Sequence, residues 1–145
     1  MAQKLNCIML IDDDEPTNFL SSMIIEECDC TEHLQIEDSA VGALNYLTNS
    51  IKSGSGSKQY PWPDLILLDI NMPAMNGWEF LKKYKVLCKK CNDSIIIMLT
   101  TSLNPSDKSR ADAIEEVAEF KYKPLTEEVL HEVLQKHFIE CKCMV

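Results

Sequence analysis

Short apolar runs alternate with helix-length amphipathic segments along almost the whole chain, and this alternation restricts the fold more than any other feature. Leu5-Asn6-Cys7-Ile8-Met9-Leu10-Ile11 is nearly continuously apolar, as in a strand covered on both faces, and stops at Asp12-Asp13-Asp14. Leu65-Ile66-Leu67-Leu68-Asp69 and Ile95-Ile96-Ile97-Met98-Leu99-Thr100 repeat the pattern. Thr31 to Glu37 alternates weakly, as an edge strand does, and Phe120-Lys121-Tyr122-Lys123 makes a short fifth strand ending at Pro124. Between them the helical period recurs. Asp14 or Glu15 caps the first helix, with Pro16 in its first turn and Phe19, Leu20, Met23, Ile24 and Glu27 at helical spacing. Val41, Leu44, Tyr46, Leu47 and Ile51 supply the second. Trp78, Phe80, Leu81, Tyr84, Leu87 and Cys88 supply a third, opened by Asn76-Gly77. A polar helix over Asn104 to Ala113 and a last one from about Thr126 to Phe138, striped by Val129, Leu130, Val133 and Leu134, complete the set.

Five strands alternating with five helices predict an α/β protein, a five-stranded parallel sheet doubly wound by helices on both faces. Right-handed crossovers place every strand's carboxyl end at one edge, where open α/β sheets bind ligands. The 145 residues suit one domain, 1–145, with its core over about 5–138. Only Glu140 to Val145 follow the last helix, so no output domain is expected.

Lys plus Arg is 14 against Asp plus Glu 23, a net charge of −9. An acidic chain repels phosphates, so neither nucleic acid nor an anionic membrane is an expected partner. No apolar run nears the ~18–20 residues of a membrane span, and residues 1–7 carry no apolar stretch of the kind a signal peptide needs, so none is expected. Seven cysteines, an odd count, suit reduced thiols and a cytoplasmic location. Cys88 and Cys91 have CxxC spacing but fall near a helix end, where the dipole opposes thiolate formation, and Cys141 and Cys143 are too close together to complete a typical zinc site. His33, His131 and His137 read as structural or solvated. Ser53-Gly54-Ser55-Gly56-Ser57 reads as a surface loop.

The predicted topology gathers Asp12, Asp13, Asp69, Thr100 and Lys123 at one edge. Clustered carboxylates repel one another unless a cation intervenes, by about 4 kcal/mol for each pair at ~4 Å and an effective dielectric of about 20. All-oxygen ligands with open positions favour Mg²⁺. Lys123 adds a second positive charge and Thr100 a hydroxyl donor, a set suited to holding a phosphoryl group, and an Asp carboxylate can itself be the nucleophile.

Ile11-Asp12-Asp13-Asp14, Leu67-Leu68-Asp69-Ile70-Asn71-Met72-Pro73-Ala74-Met75-Asn76-Gly77, Leu99-Thr100-Thr101 and Tyr122-Lys123-Pro124 together resemble the signature set of the two-component response-regulator receiver domain, in its stand-alone, chemotaxis-regulator-like form. The match runs in order from about Leu5 to Phe138. The resemblance implies a flavodoxin-like sheet of strand order 2-1-3-4-5 and a phosphorylation-dependent signalling switch rather than an enzyme. Asp69 is then the phosphoacceptor, charged by a sensor histidine kinase or a histidine phosphotransfer protein. Asp13 holds Mg²⁺ directly and Asp12 through water, with Asp69 and the backbone carbonyl of Asn71 completing the set. Thr100 and Lys123 each meet a phosphoryl oxygen, Phe120 matches the switch aromatic, and Lys123-Pro124 matches a cis peptide. Output follows by protein contact through the face made by the fourth helix, fifth strand and fifth helix.

Two features depart from the family pattern. Thr101 is bulkier than the residue usual after the threonine, which narrows access to an acyl phosphate, and the Gly/Ser segment lengthens the connection before the third strand. Two other readings compete. One is a phosphorylation-independent binding module. The other is a haloacid-dehalogenase-type phosphotransferase, disfavoured because Asn71 stands where that family needs an acid. Asn71 and Ser102 occupy positions that tune hydrolysis in the receiver family.

Overall fold

The computed structural model describes residues 4–54, 58–87 and 94–138. The strands are β1 (Leu5–Ile11), β2 (Thr31–Glu37), β3 (Leu65–Leu68), β4 (Ile95–Thr100) and β5 (Val117–Tyr122). The helices are α1 (Glu15–Cys28), α2 (Ala40–Lys52), α3 (Gly77–Leu87), α4 (Pro105–Asp112) and α5 (Glu127–His137). All strand pairs are parallel, in the order β2-β1-β3-β4-β5. This is the expected flavodoxin-like arrangement, with β2 and β5 at the edges.

Two apolar clusters cover the sheet. Tyr46 and Leu47 of α2, Trp78, Phe80 and Tyr84 of α3 and Ala111 of α4 pack on one face against Met9, Ile11, Ile66, Leu68 and Met98. Ile25 of α1 and Leu130, Val133 and Leu134 of α5 pack on the other against Ile8, Leu10, Leu65, Leu67 and Ile97. Alternate residues of the same strand thus serve opposite layers, which explains why the central strands read as unbroken apolar runs. Tyr46 also donates from its hydroxyl to the Pro61 carbonyl at 2.6 Å. Burial pushes the neighbouring Cys7 thiol up to about 12, so it is inert in the core.

Helix starts follow their sequence signals. Asp14 caps α1, accepting from the Thr17 amide at 3.0 Å, and Asn104 and Thr126 cap α4 and α5. Asn76 and Glu79 bond reciprocally, each backbone amide donating to the other's side chain at 2.9 Å.

The structure corrects several sequence expectations. The stripe Phe19, Leu20 and Met23 faces solvent, and α1 buries Asn18, Ser21 and Ile25 instead. Both sets lie at helical spacing, so periodicity cannot choose between them; the inner set is polar because the amino end of α1 lies over the polar edge of the sheet. Val41 is likewise exposed, while Ala40 and Ala43 face the core. The third strand ends at Leu68, leaving Asp69 on the loop. The fifth begins at Val117 rather than Phe120 because an irregularity against Ile96 and Ile97 breaks the alternation that marks a strand. The Cys88 and Cys91 pair, Cys141, Cys143 and residues 55–57 of the Gly/Ser segment lie outside the described residues.

Candidate functional site

Register builds the site. Ile11 pairs with Leu68, so the next residues, Asp12 and Asp69, leave the sheet side by side. Thr100 pairs with Tyr122, so Lys123 emerges next to the end of β4, and its amide donates to the Thr100 carbonyl at 2.9 Å. Asp12 and Asp69 are each 6% exposed, Thr100 is fully buried, and Asp13 lies open at the mouth. Single carboxylate oxygens of Asp12, Asp13 and Asp69 all lie within 4.8 Å of one another. This spacing and all-oxygen chemistry fit a hard divalent cation such as Mg²⁺.

The Lys123 ammonium sits 2.5 Å from Asp12 Oδ2 and 3.4 Å from Asp69 Oδ1. Burial alone lowers its pKa, but the Asp12 hydrogen bond and the two carboxylate charges override that and raise it. Asp69 goes the other way. Burial, then the Asp12 charge, lift its carboxyl from 3.8 to about 6, even though Lys123 pulls it down. Asp69 is therefore ionised at neutral pH but held in an unfavourable state, which an added cation relieves.

Thr100 Oγ1 accepts from the Ser102 amide at 3.1 Å, and the Ser102 hydroxyl is hydrogen-bonded to Asp107 of α4. The buried threonine is thereby connected to the start of α4. Phe120 is half-buried against the cluster beneath α3, edge-on to Tyr122 with ring centroids 5.4 Å apart. The Lys123-Pro124 peptide is cis. Asn71 lies exposed on the loop after Asp69, and Thr101 is exposed after β4.

Asp12, Asp13, Asp69 and Lys123 come together as the sequence predicts, while Phe120 stands on the strand leading to the site. Sequence reasoning misses Asn18. Its amide Nδ2 donates to the Asp12 carbonyl at 2.7 Å from inside the protein. Asn18 is one of several polar residues in α1, with Thr17, Ser21 and Ser22 close by, so nothing in the sequence singles it out. Gly77 reads in the sequence only as a helix opener, yet it packs on the Asp69 peptide itself.

This combination of fold and acidic edge defines a receiver. The model of the response regulator receiver domain matches residues 8–135, and the chain belongs to that family of two-component regulatory signalling domains. It resembles a two-component response regulator of Cytophaga hutchinsonii, with TM-score 0.81 and 34% identity, covering 95% of this chain and all of that one. It also resembles a response regulator receiver protein of Dyadobacter fermentans, with TM-score 0.72 and 25% identity over 91% of this chain and 97% of that one. The chemotaxis protein CheY4 of Vibrio cholerae shares the fold, with TM-score 0.69 and 24% identity over 92% and 99%. A two-component response regulator of Arabidopsis thaliana is 29% identical over 120 residues, 81% of this chain, which spans 61% of that relative's length. Among the described residues no helix is long and apolar enough to cross a membrane.

Proposed function

We propose that the chain is a phosphorylation-dependent switch in a two-component phosphorelay, acting in the cytoplasm and charged on Asp69. The observation that carries this reading is the convergence of Asp12, Asp13, Asp69 and the Lys123 ammonium in one pocket, with Asp69 raised to about 6 by burial and the Asp12 charge. An Asp69 carboxylate oxygen attacks the phosphorus of a phosphohistidine in line. The new O–P bond forms as the P–N bond breaks, and its electron pair leaves on the imidazole nitrogen. Asp13, Asp69 and the Asn71 carbonyl would hold Mg²⁺, with Asp12 reaching it through water, and the ion would supply positive charge beside the transferred group. Lys123 exchanges its contact with Asp12 for a phosphoryl oxygen, and Thr100 donates its hydroxyl to another.

Drawing Thr100 inward strains its link through Ser102 to Asp107, and so biases α4, β5 with Phe120, and α5, the face offered to a downstream protein. Shifting such an equilibrium from 1:99 to 99:1 takes about 5.5 kcal/mol, within reach of several charge-assisted bonds. Intact mass spectrometry after incubation with acetyl phosphate tests the reading. One phosphoryl adduct, formed with Mg²⁺ and absent under EDTA, is expected; an unmodified protein under both conditions, and again with a phosphorylated histidine kinase, rejects it in favour of a constitutive binding module.

The phosphodonor is proposed to be a protein, a histidine kinase or histidine phosphotransfer protein. Exposed Pro16, Phe19, Leu20 and Met23 recur at helical spacing on α1, starting beside the Asp14 cap and the open Asp13. Such a stripe next to the acidic pocket suits an apolar partner surface. Phe19→Asp is expected to slow charging by a phosphorylated histidine phosphotransfer domain about tenfold or more while acetyl phosphate charges it at the wild-type rate. Equal slowing with both donors removes α1 from the docking surface.

A further inference from the structure

We propose that Asn18 is a positioning residue that sets the spacing of the Asp12–Asp13 acidic pair; the inference rests on the reading of that pair as an Mg²⁺ site. Asn18 is 6% exposed, on the inner face of α1. β1 stays in register with its neighbours only through Ile11, whose carbonyl accepts from the Asp69 amide at 3.0 Å. One residue further on, the Asp12 amide still donates to the Glu37 carbonyl at 3.1 Å, while the Asp12 carbonyl takes its bond from Asn18 Nδ2 at 2.7 Å. The peptide joining Asp12 to Asp13 is therefore anchored at its oxygen by α1, not by the sheet.

That anchor has a direct geometric effect. Asp12 precedes this peptide and Asp13 follows it, so turning the peptide plane swings the two carboxylates relative to each other. The Asp12 carboxylate is held separately, by the Asp14 amide at 2.9 Å on Oδ1 and by Lys123 at 2.5 Å on Oδ2. With Asp12 fixed at both groups, Asp13 is the member whose placement depends on the peptide orientation. Asn18 and Ser21 also line a small cavity under Asp12 and Asp69. An apolar residue at position 18 would leave a buried carbonyl without a donor, and the peptide is then expected to turn toward water.

Calorimetric titration of MgCl₂ into the wild type and the Asn18→Leu, Asn18→Gln and Ser21→Ala variants tests this, with thermal unfolding in EDTA alongside. Asn18→Leu is expected to bind Mg²⁺ about tenfold more weakly, in the range for losing a group that orients a metal ligand. Asn18→Gln, which keeps the amide donor on a longer stem, should recover most of the affinity, and Ser21→Ala should match the wild type. Wild-type Mg²⁺ affinity in Asn18→Leu overturns the proposal. So does a loss shared by Ser21→Ala that follows the fall in melting temperature, since that marks packing damage. If Asn18→Leu does not fold, Asn18→Ala takes its place in the comparison. A wild-type chain that takes up no Mg²⁺ while remaining folded overturns the metal reading beneath the proposal.

Discussion

Asp69→Asn is expected to lose the phosphoryl adduct altogether and, without metal, to be more stable than the wild type at pH 7.5. The loss follows from removing the attacking oxygen's charge. The gain follows from what the site costs the fold. Asp69 moves from 3.8 to about 6 in the folded protein, so between those values the folded chain holds a proton that the unfolded chain has released. Stability therefore falls as pH rises through that window, and above about pH 7 the full penalty is present. At about 1.4 kcal/mol per pH unit this net shift, which already contains the attraction of the Lys123 ammonium 3.4 Å away, corresponds to a gain of about 3 kcal/mol for the variant. Urea unfolding in EDTA at pH 7.5 and at pH 4 checks it. The difference should vanish at the lower pH, and a variant no more stable at the higher pH would contradict the assigned electrostatics.

Gly77→Ala is expected to damage fold and site together. A Cβ there would lie 2.6 Å from the Asp69 carbonyl oxygen and 3.0 Å from the Ile70 Cα, both backbone atoms. The third neighbour, Met98 Cε at 3.1 Å, can rotate away; the other two cannot. Nor can the helix retreat freely, because the Gly77 amide donates to the Ile70 carbonyl at 2.8 Å. Overpacking of this kind costs about 3 kcal/mol, and relief comes by displacing the peptide that carries Asp69. Denaturant midpoints and the rate of acetyl phosphate labelling should fall together. Gly42→Ala serves as the control, since its Cβ would meet the end of the flexible Glu37 side chain at 2.6 Å. A Gly77→Ala protein as stable as the Gly42→Ala control would refute the close approach.

How much could be read beforehand depends on whether a residue's role is visible in local pattern. The central strands are apolar on both faces, so their runs stand out, and the residues just past them fall at one edge by topology alone. Asp12, Asp69, Thr100 and Lys123 are legible for that reason. The buried face of α1 is not, because Asn18 and Ser21 sit there through a hydrogen bond and a cavity that exist only once the sheet edge has formed. The start of β5 is hidden by the irregularity opposite Ile96 and Ile97. Gly77 looks like a helix boundary in sequence, and only the packing of α3 on the Asp69 loop reveals a second constraint.

The acidic pocket draws its members from the ends of β1, β3, β4 and β5, and β1 and β3, neighbours in the sheet, are separated along the chain by α1, β2 and α2. No hairpin or local fragment can assemble it, because each contact between strand ends needs closure of a long loop. The proposed capacity to take a phosphoryl group would thus be a property of the completed native state. A chain still folding, or one cleaved between strands, carries ordinary solvated aspartates and, on the proposed reading, would not drain a phosphodonor. If Asp69 is the phosphoacceptor as proposed, its labelling would count only properly assembled molecules, and a relay would be protected from defective copies of its receiver.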